Sequence, residues 1–268
     1  MNRIDAAFAR LRAGRQKAFI PYLTAGVPGP DETVELALAL AGLGADIIEL
    51  GYPFSDPMAD GVVNQAAANL ALQSGLGPEG YFGIAEKFRA RSQVPLIAFS
   101  YLNPLFKFGF DAFVRRAKSA GMDGILLVDM PVEESGELQT LCRREGLALI
   151  FLVAPTTTPE RLKKVVEAAT GFIYYISRTG TTGERDGFQA DFESKVAGLK
   201  ASCGLPVVVG FGISNPGQVR TVCRLSDGVV VGSALVRHTL EKMPFPAMLE
   251  KVTSFAAPLA APTKEKWN

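Results

Sequence analysis

Eight short apolar or β-branched segments recur along the whole chain, and a helical pattern follows each of them. They lack the polar–apolar alternation of a sheet with one face in water, so both faces of the sheet are expected to be covered. Strands that alternate with helices predict a parallel sheet, and eight strands are the number that closes a barrel. The predicted strands are 18–23, 45–50, 95–101, 124–129, 147–153, 171–177, 206–211 and 227–232.

The helical segments between these strands indicate an α/β fold, and we expect it to form one domain. A doubly wound open sheet is the competing architecture, but it usually carries a glycine-rich fingerprint after its first strand, where "YLTAGVPGPDE" stands instead. No linker divides the chain, so we expect a single (β/α)8 TIM barrel over 1–268. An amphipathic helix at about 2–13 precedes it, and a Pro/Ala-rich tail lies at about 257–268.

The composition excludes several classes of function. Of the 268 residues, 48% are hydrophobic and 21% are charged, which supports a sizeable core. The 28 Lys and Arg residues are balanced by 27 Asp and Glu, so no basic footprint for nucleic acid or an anionic membrane is expected. The longest apolar runs are broken by glycine, and three cysteines without CxxC spacing indicate free buried thiols. We therefore expect a cytoplasmic protein.

Glycine and serine follow the last two predicted strands, in "GFGIS" and "VGSA". Backbone N–H groups at such strand-to-helix turns hold anions, and glycine lets phosphate oxygens approach the backbone. A phosphate site after strands seven and eight recurs in barrels of this type. Either motif alone is more typical of ordinary turns and helix caps, but two motifs on adjacent strands favour phosphate.

The segment 177–189 after strand six is rich in Gly, Ser and Thr and carries four charges. Long loops in compact domains are often functional. We therefore expect a lid that includes Arg178 and Gly180, with an idle surface loop as the alternative.

Two carboxylates stand close together in "IIELGYPFSDPMADG", residues 47–61. Glu49 ends the second strand among isoleucines and leucine, where desolvation raises a carboxyl pKa towards neutrality and suits the group to acid–base catalysis. Asp60 follows at the end of the loop. Their pairing at one barrel mouth favours a catalytic pair. A structural buried Glu and a helix-capping Asp remain the alternatives.

The residues missing from the strand ends narrow the chemistry further. The only histidine, His238, lies in the last helical region, which argues against Ser–His–Asp and Cys–His nucleophiles. One histidine and no cysteine cluster argue against a metal site, and none of these strands ends in a Schiff-base lysine. Carboxylate acid–base chemistry on a phosphorylated substrate remains. Aromatic residues near the strand ends either line an apolar pocket or pack in the core: Tyr22, Phe54, Phe99, Tyr101, Phe151, Tyr174 and Phe211.

Five motifs, "ELGYPFSDPMADG", "DMPVEES", "SRTGTTG", "GFGIS" and "GSA", resemble in order and spacing those of the tryptophan synthase α subunit. The resemblance extends from "FIPYLTAGVPG" to about residue 255. It implies a TIM barrel that cleaves indole-3-glycerol phosphate to indole and glyceraldehyde 3-phosphate, in the last steps of tryptophan biosynthesis.

The resemblance also implies a role for each site residue. Glu49 would protonate the indole carbon that bears the glycerol chain and assist loss of the hydroxyl proton. Asp60 would accept a hydrogen bond from the indole N–H and stabilise the positive charge. Tyr174 would hold Asp60, and Thr182 would contact it on lid closure. The phosphate would bind Gly183, Gly212, Gly232 and Ser233, and the pocket and its support would comprise Tyr22, Phe99, Tyr101, Asp129, Phe211 and Val231.

For partners, the resemblance implies an αββα heterotetramer with the β subunit. Pyridoxal phosphate belongs to that subunit, so no cofactor is implied in this chain. A free-standing lyase, a non-catalytic regulatory barrel and another phosphate-binding barrel such as an isomerase are the alternatives. Glu49 and Asp60 argue against the last two.

Several positions depart from the family pattern. Tyr52 stands where a small aliphatic residue is usual, and Tyr22 where Phe is frequent. The segment "DGVVNQ" (60–65) replaces the usual Gly-Pro-x-Ile-Gln after the aspartate, so Val62 stands for a proline. The loop 52–65 carries the β-subunit contact in the family, so these changes bear on loop rigidity and partner fit.

Overall fold

The computed structural model of the protein describes residues 2–176, 192–210 and 212–267. Within these residues, eight parallel strands close into a barrel in chain order, and β8 pairs back to β1. The helices lie around the sheet, and one further helix precedes the first strand. The prediction of a (β/α)8 barrel with an extra N-terminal helix is confirmed.

All eight predicted strands are present, and each consists of buried residues, with one position in β5 and one in β6 only partly buried. β-branched and aromatic side chains are frequent in them because such side chains pack well on a sheet covered on both faces. The strands are β1 (Ala18–Thr24), β2 (Ile48–Gly51), β3 (Leu96–Ser100), β4 (Gly124–Leu127), β5 (Ala148–Val153), β6 (Ile173–Ile176), β7 (Val207–Gly210) and β8 (Gly228–Val231).

The helices differ from the sequence pattern in three places. A helix of seven residues follows β3 and is too short to show a helical period. A 3₁₀ turn, Val132–Glu134, precedes the helix that follows β4. Pro244 separates two helices in the last region. The helices are α1 (Arg3–Gly14), α2 (Pro30–Gly42), α3 (Val62–Gln73), α4 (Pro78–Arg91), α5 (Leu102–Phe108), α6 (Phe110–Ser119), α7 (Gly136–Glu145), α8 (Pro159–Ala168), α9 (Phe192–Ser202), α10 (Pro216–Leu225), α11 (Ser233–Thr239) and α12 (Phe245–Ala260).

The Pro/Ala-rich segment at the C-terminus is folded. α12 continues through Pro258, and a 3₁₀ turn, Ala261–Lys264, follows it. The backbone N–H of Trp267 donates to the carbonyl of Arg15, which ties the segment to the end of α1. Of the helices that the structure describes, none combines the length and the apolar character needed to cross a membrane.

Four pairs of residues, which we call the amino-end clamps, join neighbouring strands where the strands begin. In each pair, a residue before an even-numbered strand donates its N–H to a backbone carbonyl of the preceding strand, 2.7–3.0 Å away. The N–H of that same partner donates back to its side chain, at 2.8–3.0 Å. The pairs are Asp46 with Phe19, Asp123 with Leu96, Thr170 with Leu149 and Asp227 with Val207.

Cations neutralise the three clamp carboxylates. Asp123, which is 4% exposed, pairs with Arg3 at 2.9 Å and with Arg89 at 2.8 Å. Hydrogen bonds to a charged acceptor are stronger than neutral ones. These clamps therefore fix the register of the strands at the end of the barrel opposite to the strand carboxyl ends. The other ion pairs are Asp46 with Arg10 and Lys264, and Asp227 with Lys200.

The helix α1 covers this amino end of the barrel. Asn2 caps it through its side chain and also donates to the carbonyl oxygens of Asp123 and Gly146. Ile4 and Phe8 are buried in the same cluster as the side chains inside the barrel. The open end of the barrel is therefore the carboxyl end.

Strand register decides which side chains enter the barrel. Tyr22 of β1 pairs with Glu49 of β2, and Tyr22 belongs to the interior cluster. Aligned residues of neighbouring parallel strands point to the same face of the sheet, so Glu49 also points inward. Leu50, the next residue, packs in the outer core between sheet and helices.

We expect Asp123→Ala to lower the free energy of unfolding by about 3–5 kcal/mol, because it leaves the charge of the largely buried Arg89 without its carboxylate and the N–H of Leu96 without its side-chain acceptor. Asp31→Ala is the matched control, since Asp31 is 78% exposed and its ion-pair partner is the exposed Lys87. Equilibrium urea denaturation of the two variants checks this. Equal losses in both variants would contradict a special role for the clamp.

Candidate active site

The carboxyl ends of the strands enclose a cavity whose walls come from five strands and the loops after β2, β7 and β8. Eight of its residues are among those predicted from the sequence as site residues. The lining residues are Tyr22, Glu49, Asp60, Asn64, Phe99, Tyr174, Gly212, Ile213, Val230, Gly232 and Ser233. Both predicted carboxylates and the predicted phosphate-binding turns therefore face one space.

Glu49 is completely buried at the bottom of this cavity. Neither of its carboxyl oxygens has a hydrogen-bond partner among the described residues. Burial without a compensating cation raises the pKa of Glu49 to about 8. The group is therefore mostly protonated at neutral pH, yet its pKa is close enough to neutrality for it both to give and to take a proton.

Asp60 lies in a different environment from Glu49, although it is also buried. The hydroxyl of Tyr101 donates to Oδ2 at 2.9 Å, and the side-chain amide of Asn64 donates to Oδ1 at 3.1 Å. Burial raises the pKa of Asp60, while these two hydrogen bonds act in the opposite direction. Each oxygen of the carboxyl group thus has one donor, an arrangement that favours the ionised form.

The loop that carries Asp60 is held from several sides. The hydroxyl of Tyr101 also accepts a hydrogen bond from the backbone N–H of Ala59 at 3.1 Å. The ring of Phe54 lies 5.4 Å from that of Tyr101. Gln65 donates to the backbone carbonyl of Asp60 at 2.7 Å. Tyr101 therefore positions both the loop and the carboxylate that the loop presents.

Two tyrosines line the cavity, and each reaches over a glycine of the next strand. A Cβ at Gly51 would lie 2.1 Å from the hydroxyl oxygen of Tyr22, and one at Gly210 would lie 2.0 Å from that of Tyr174. Only glycine leaves room for these rings. The ring of Phe99 packs edge-on against Tyr22, with centroids 5.1 Å apart. These aromatic walls suit a flat apolar ligand.

The turns after β7 and β8 bring backbone N–H groups to the same cavity. Gly232 is the N-cap of α11, and Ser233 is its first residue. Gly212 has a φ of +79°, a conformation that glycine adopts without strain. N–H groups in the first turn of a helix have no acceptor within the helix. Gly212, Gly232 and Ser233 can therefore receive an anion, as a phosphate site requires.

Two residues that the resemblance places in the pocket lie elsewhere. Val231 packs in the outer core, and Val230 lines the cavity in its place, because successive residues of a strand point to opposite faces. Asp129 is exposed and accepts a hydrogen bond from the N–H of Leu102 at 2.7 Å, so it caps α5. It contacts the residue that follows Tyr101 and is not among the residues that line the cavity.

The hydrogen bonds on Asp60 also differ from those implied by the resemblance. Within the described residues the donors to its carboxylate are Tyr101 and Asn64. The support of Asp60 by Tyr174 stays a prediction. Asn64 is not among the residues predicted from the sequence, although its position four residues after Asp60, at the start of a predicted helix, could have identified it.

Several predicted site residues lie outside the described residues. These are Arg178, Gly180, Thr182 and Gly183 of the candidate lid, and Phe211. Their roles stay predictions.

The other reactive side chains lie away from the cavity. His238 contacts Glu241 through Nδ1 at 3.0 Å, and its ring packs on Phe255. Burial raises the pKa of the Cys142 and Cys223 thiols to about 12, which makes them poor nucleophiles. The described part of the chain holds no group of three or more His, Cys, Asp or Glu residues that could bind a metal ion.

The family model and the similar sequences all identify the same protein family. The sequence model described as "Tryptophan synthase alpha chain" matches residues 8–261. The tryptophan synthase alpha chain of Opitutus terrae is 46% identical over 265 residues, which cover 98% of this chain and 100% of the relative. That of Geotalea daltonii is 46% identical over 238 residues, or 89% of this chain and 90% of the relative.

Solved structures agree with these sequences. Tryptophan synthase subunit alpha from Legionella pneumophila superposes with a TM-score of 0.89 at 36% identity, covering 98% of each chain. A chain of the tryptophan synthase complex from Pyrococcus furiosus gives a TM-score of 0.83 at 36% identity, covering 92% of this chain and 99% of that one.

We expect the stability of the protein to fall between about pH 5 and pH 8 relative to that of Glu49→Gln. The folded protein keeps the Glu49 proton up to a pKa of about 8, whereas the unfolded chain releases it near the ordinary value of 4.5. The folded state then binds more protons in this window, so its stability decreases as pH rises. The loss should be on the order of 3 kcal/mol, measured as the difference between the two urea denaturation series.

The substitution Glu134→Gln, at an exposed site, is the control and should follow the wild type at every pH. Parallel stability curves for the wild type and Glu49→Gln would show that Glu49 titrates normally.

Proposed function

The chain belongs to the tryptophan synthase alpha chain family, and we propose that it cleaves indole-3-glycerol phosphate with Glu49 and Asp60 as its two acting carboxyl groups. The products are indole and glyceraldehyde 3-phosphate, so the protein is a carbon–carbon lyase of tryptophan biosynthesis. The observation that carries the proposal is one cavity with a protonated buried carboxyl, a second carboxyl with two hydrogen-bond donors, and backbone N–H groups for a phosphate.

Glu49 acts first as a general acid. Its pKa of about 8 keeps the proton on the carboxyl group at neutral pH, and no internal partner competes for that proton among the described residues. The group protonates the indole ring carbon that bears the glycerol chain. As a carboxylate it then accepts the proton of the chain hydroxyl, and the carbon–carbon bond breaks in a retro-aldol step. The proton taken from the hydroxyl restores the acid form of Glu49 for the next turnover, and the first proton stays on the indole carbon.

Asp60 acts as an anion. Protonation of the ring carbon places positive charge on the indole nitrogen, and a carboxylate that accepts the indole N–H stabilises that charge. The donors Tyr101 and Asn64 favour the ionised state of the carboxylate that this role requires. Two carboxyl groups in one cavity can thus take different roles, because among the described residues only Asp60 has donors that favour its ionised form.

The remaining walls position the substrate. Tyr22, Phe99 and Tyr174 enclose the flat indole ring, and the turns that contain Gly212, Gly232 and Ser233 hold the phosphate. Binding both ends of the substrate fixes the bond to be broken next to Glu49, and correct orientation supplies a large part of enzymatic rate enhancement.

Two departures from the family pattern, Tyr52 and Val62, are not among the residues that line the cavity. The ring of Tyr52 packs edge-on against Tyr81, with centroids 4.8 Å apart, and against Phe113 at 6.3 Å. Tyr52 therefore anchors the start of the Asp60 loop to the outer helices. Val62, the first residue of α3, is 79% exposed and adds apolar surface.

An exposed apolar patch fits a protein partner. Met58, Val62 and Phe106 are 85%, 79% and 69% exposed, and they lie on the loop after β2, the start of α3 and α5. β2 and β3 are adjacent, so this loop and α5 share one side of the cavity mouth. Exposed apolar patches mark interaction sites. We assign this patch to the tryptophan synthase β subunit, in an αββα heterotetramer.

In this assembly the indole passes to the β subunit, which holds the pyridoxal phosphate. The α chain then works without a cofactor of its own. We place the complex in the cytoplasm, where the other reactants of amino-acid biosynthesis are found.

Glu49→Gln should lower indole release from indole-3-glycerol phosphate by about 10²–10⁴-fold, because the amide keeps the size of the side chain but cannot exchange the proton. Substrate binding should persist. Asp60→Asn should be severely impaired as well. Steady-state kinetics and calorimetric titration of substrate check both variants. Retained turnover in Glu49→Gln would exclude its assigned role.

Met58→Asp should weaken the activation of indole release by an added β subunit, because the interface would have to bury a charge in an apolar contact. The rate of the isolated chain should stay unchanged. Leu72→Ser, a change at an exposed apolar residue near the other end of α3, is the control. If the unaltered chain releases indole rapidly and ignores β, the protein is a free-standing lyase. If it releases none in either case, it is a non-catalytic barrel.

A further inference from the structure

Asn64 is a buried amide on the wall of the active-site cavity, and the family pattern has isoleucine at this position. It lies in the first turn of α3 and is 8% exposed. Its Nδ2 donates to Asp60 Oδ1 at 3.1 Å, and its Oδ1 is buried without a partner among the described residues. Nothing in the general reaction requires an amide here.

The neighbouring carboxylate fixes the orientation of this amide. If the amide were flipped, its carbonyl oxygen would face Asp60 Oδ1, and two acceptors would repel each other. The observed orientation therefore leaves the carbonyl oxygen as the unpaired atom. A buried acceptor without a donor is unfavourable, so such an atom at the wall of a cavity points to a ligand that supplies the donor.

Asp60 depends on its donors to stay ionised. Burial alone raises its pKa, and the hydrogen bonds from Asn64 and Tyr101 oppose that rise. A protonated Asp60 could not stabilise positive charge on the indole nitrogen. The two donors bind different oxygens, so removing either leaves one oxygen of the buried carboxylate without a partner.

We propose that Asn64 is a positioning and specificity residue that bridges Asp60 and the substrate. Its N–H group keeps Asp60 ionised and directed into the cavity, and its carbonyl oxygen accepts a hydrogen bond from a hydroxyl or N–H group of the substrate. The proposal rests on the assigned reaction and adds to it a polar contact that a chain with isoleucine at this position lacks.

The test uses Asn64→Leu, which keeps the approximate size of the side chain and removes both polar atoms. Asn64→Ile, the residue of the family pattern, is a second variant in case leucine disturbs folding. Release of glyceraldehyde 3-phosphate from indole-3-glycerol phosphate is followed from pH 5 to pH 9, with a β subunit present. Gln65→Leu is the control, because Gln65 donates to the backbone carbonyl of Asp60 and not to its carboxylate.

We expect the acidic limb of the kcat/KM profile of Asn64→Leu to move upward by about one pH unit, since a neutral Asp60 becomes more favourable. Above that limb KM should stay raised by about tenfold, because the substrate loses an acceptor. Tyr101→Phe, which removes the other donor, should move the limb in the same direction. Gln65→Leu should leave the limb at the wild-type pH.

An unshifted limb, or an unchanged KM above it, in a folded Asn64 variant would overturn the proposal while the wild type still cleaves its substrate. A wild-type protein that releases no product would instead overturn the assigned reaction itself. The two failures are therefore distinguishable.

Discussion

Closure of the sheet is the constraint on which the rest of the structure depends. The amino-end clamps fix four strand pairs where the strands begin, and the N–H of Ala18 donates to the carbonyl of Asp227, joining β8 back to β1. A closed barrel has no free edge, so the register of one pair limits that of all the others. The interior positions at the opposite end are therefore set by hydrogen bonds far from the cavity.

Strand register determines which side chains face the cavity. Glu49 points into the barrel because it pairs with Tyr22, and inside the barrel it meets apolar and aromatic side chains. The same cavity holds Asp60, which enters from a loop and brings donors with it. Burial therefore raises the pKa of Glu49 to about 8, whereas the donors on Asp60 oppose the rise in pKa that burial causes there, although both groups are carboxyls. The two carboxyl groups differ in environment because Glu49 reaches the cavity from a strand and Asp60 reaches it from a loop.

The sequence predictions are accurate for features that depend on neighbouring residues and wrong for features that depend on contacts between distant ones. The eight strands, the two carboxylates and the glycine turns are each recognisable from a short motif. The structure has each of them at the position of its motif. Val230 and Val231 are different, because adjacent valines look alike in a sequence and only the register says which one faces inward. The role of Asp129 is also not visible in the sequence, because the N–H group that it caps belongs to α5, the helix after the neighbouring strand β3.

The sequence by itself determined the class of fold, the position of one carboxylate in the second strand and of the other in the loop that follows, and the membership of a family, because periodicity and motifs are properties of neighbouring residues. Tertiary structure alone decided that Glu49 has no hydrogen-bond partner in the described part of the chain, that Tyr101 and Asn64 hold Asp60, and that Tyr52 anchors the loop in an aromatic cluster. The physical reason is that burial and hydrogen bonding in a closed barrel join residues that are distant in the chain, and no local pattern records those distances.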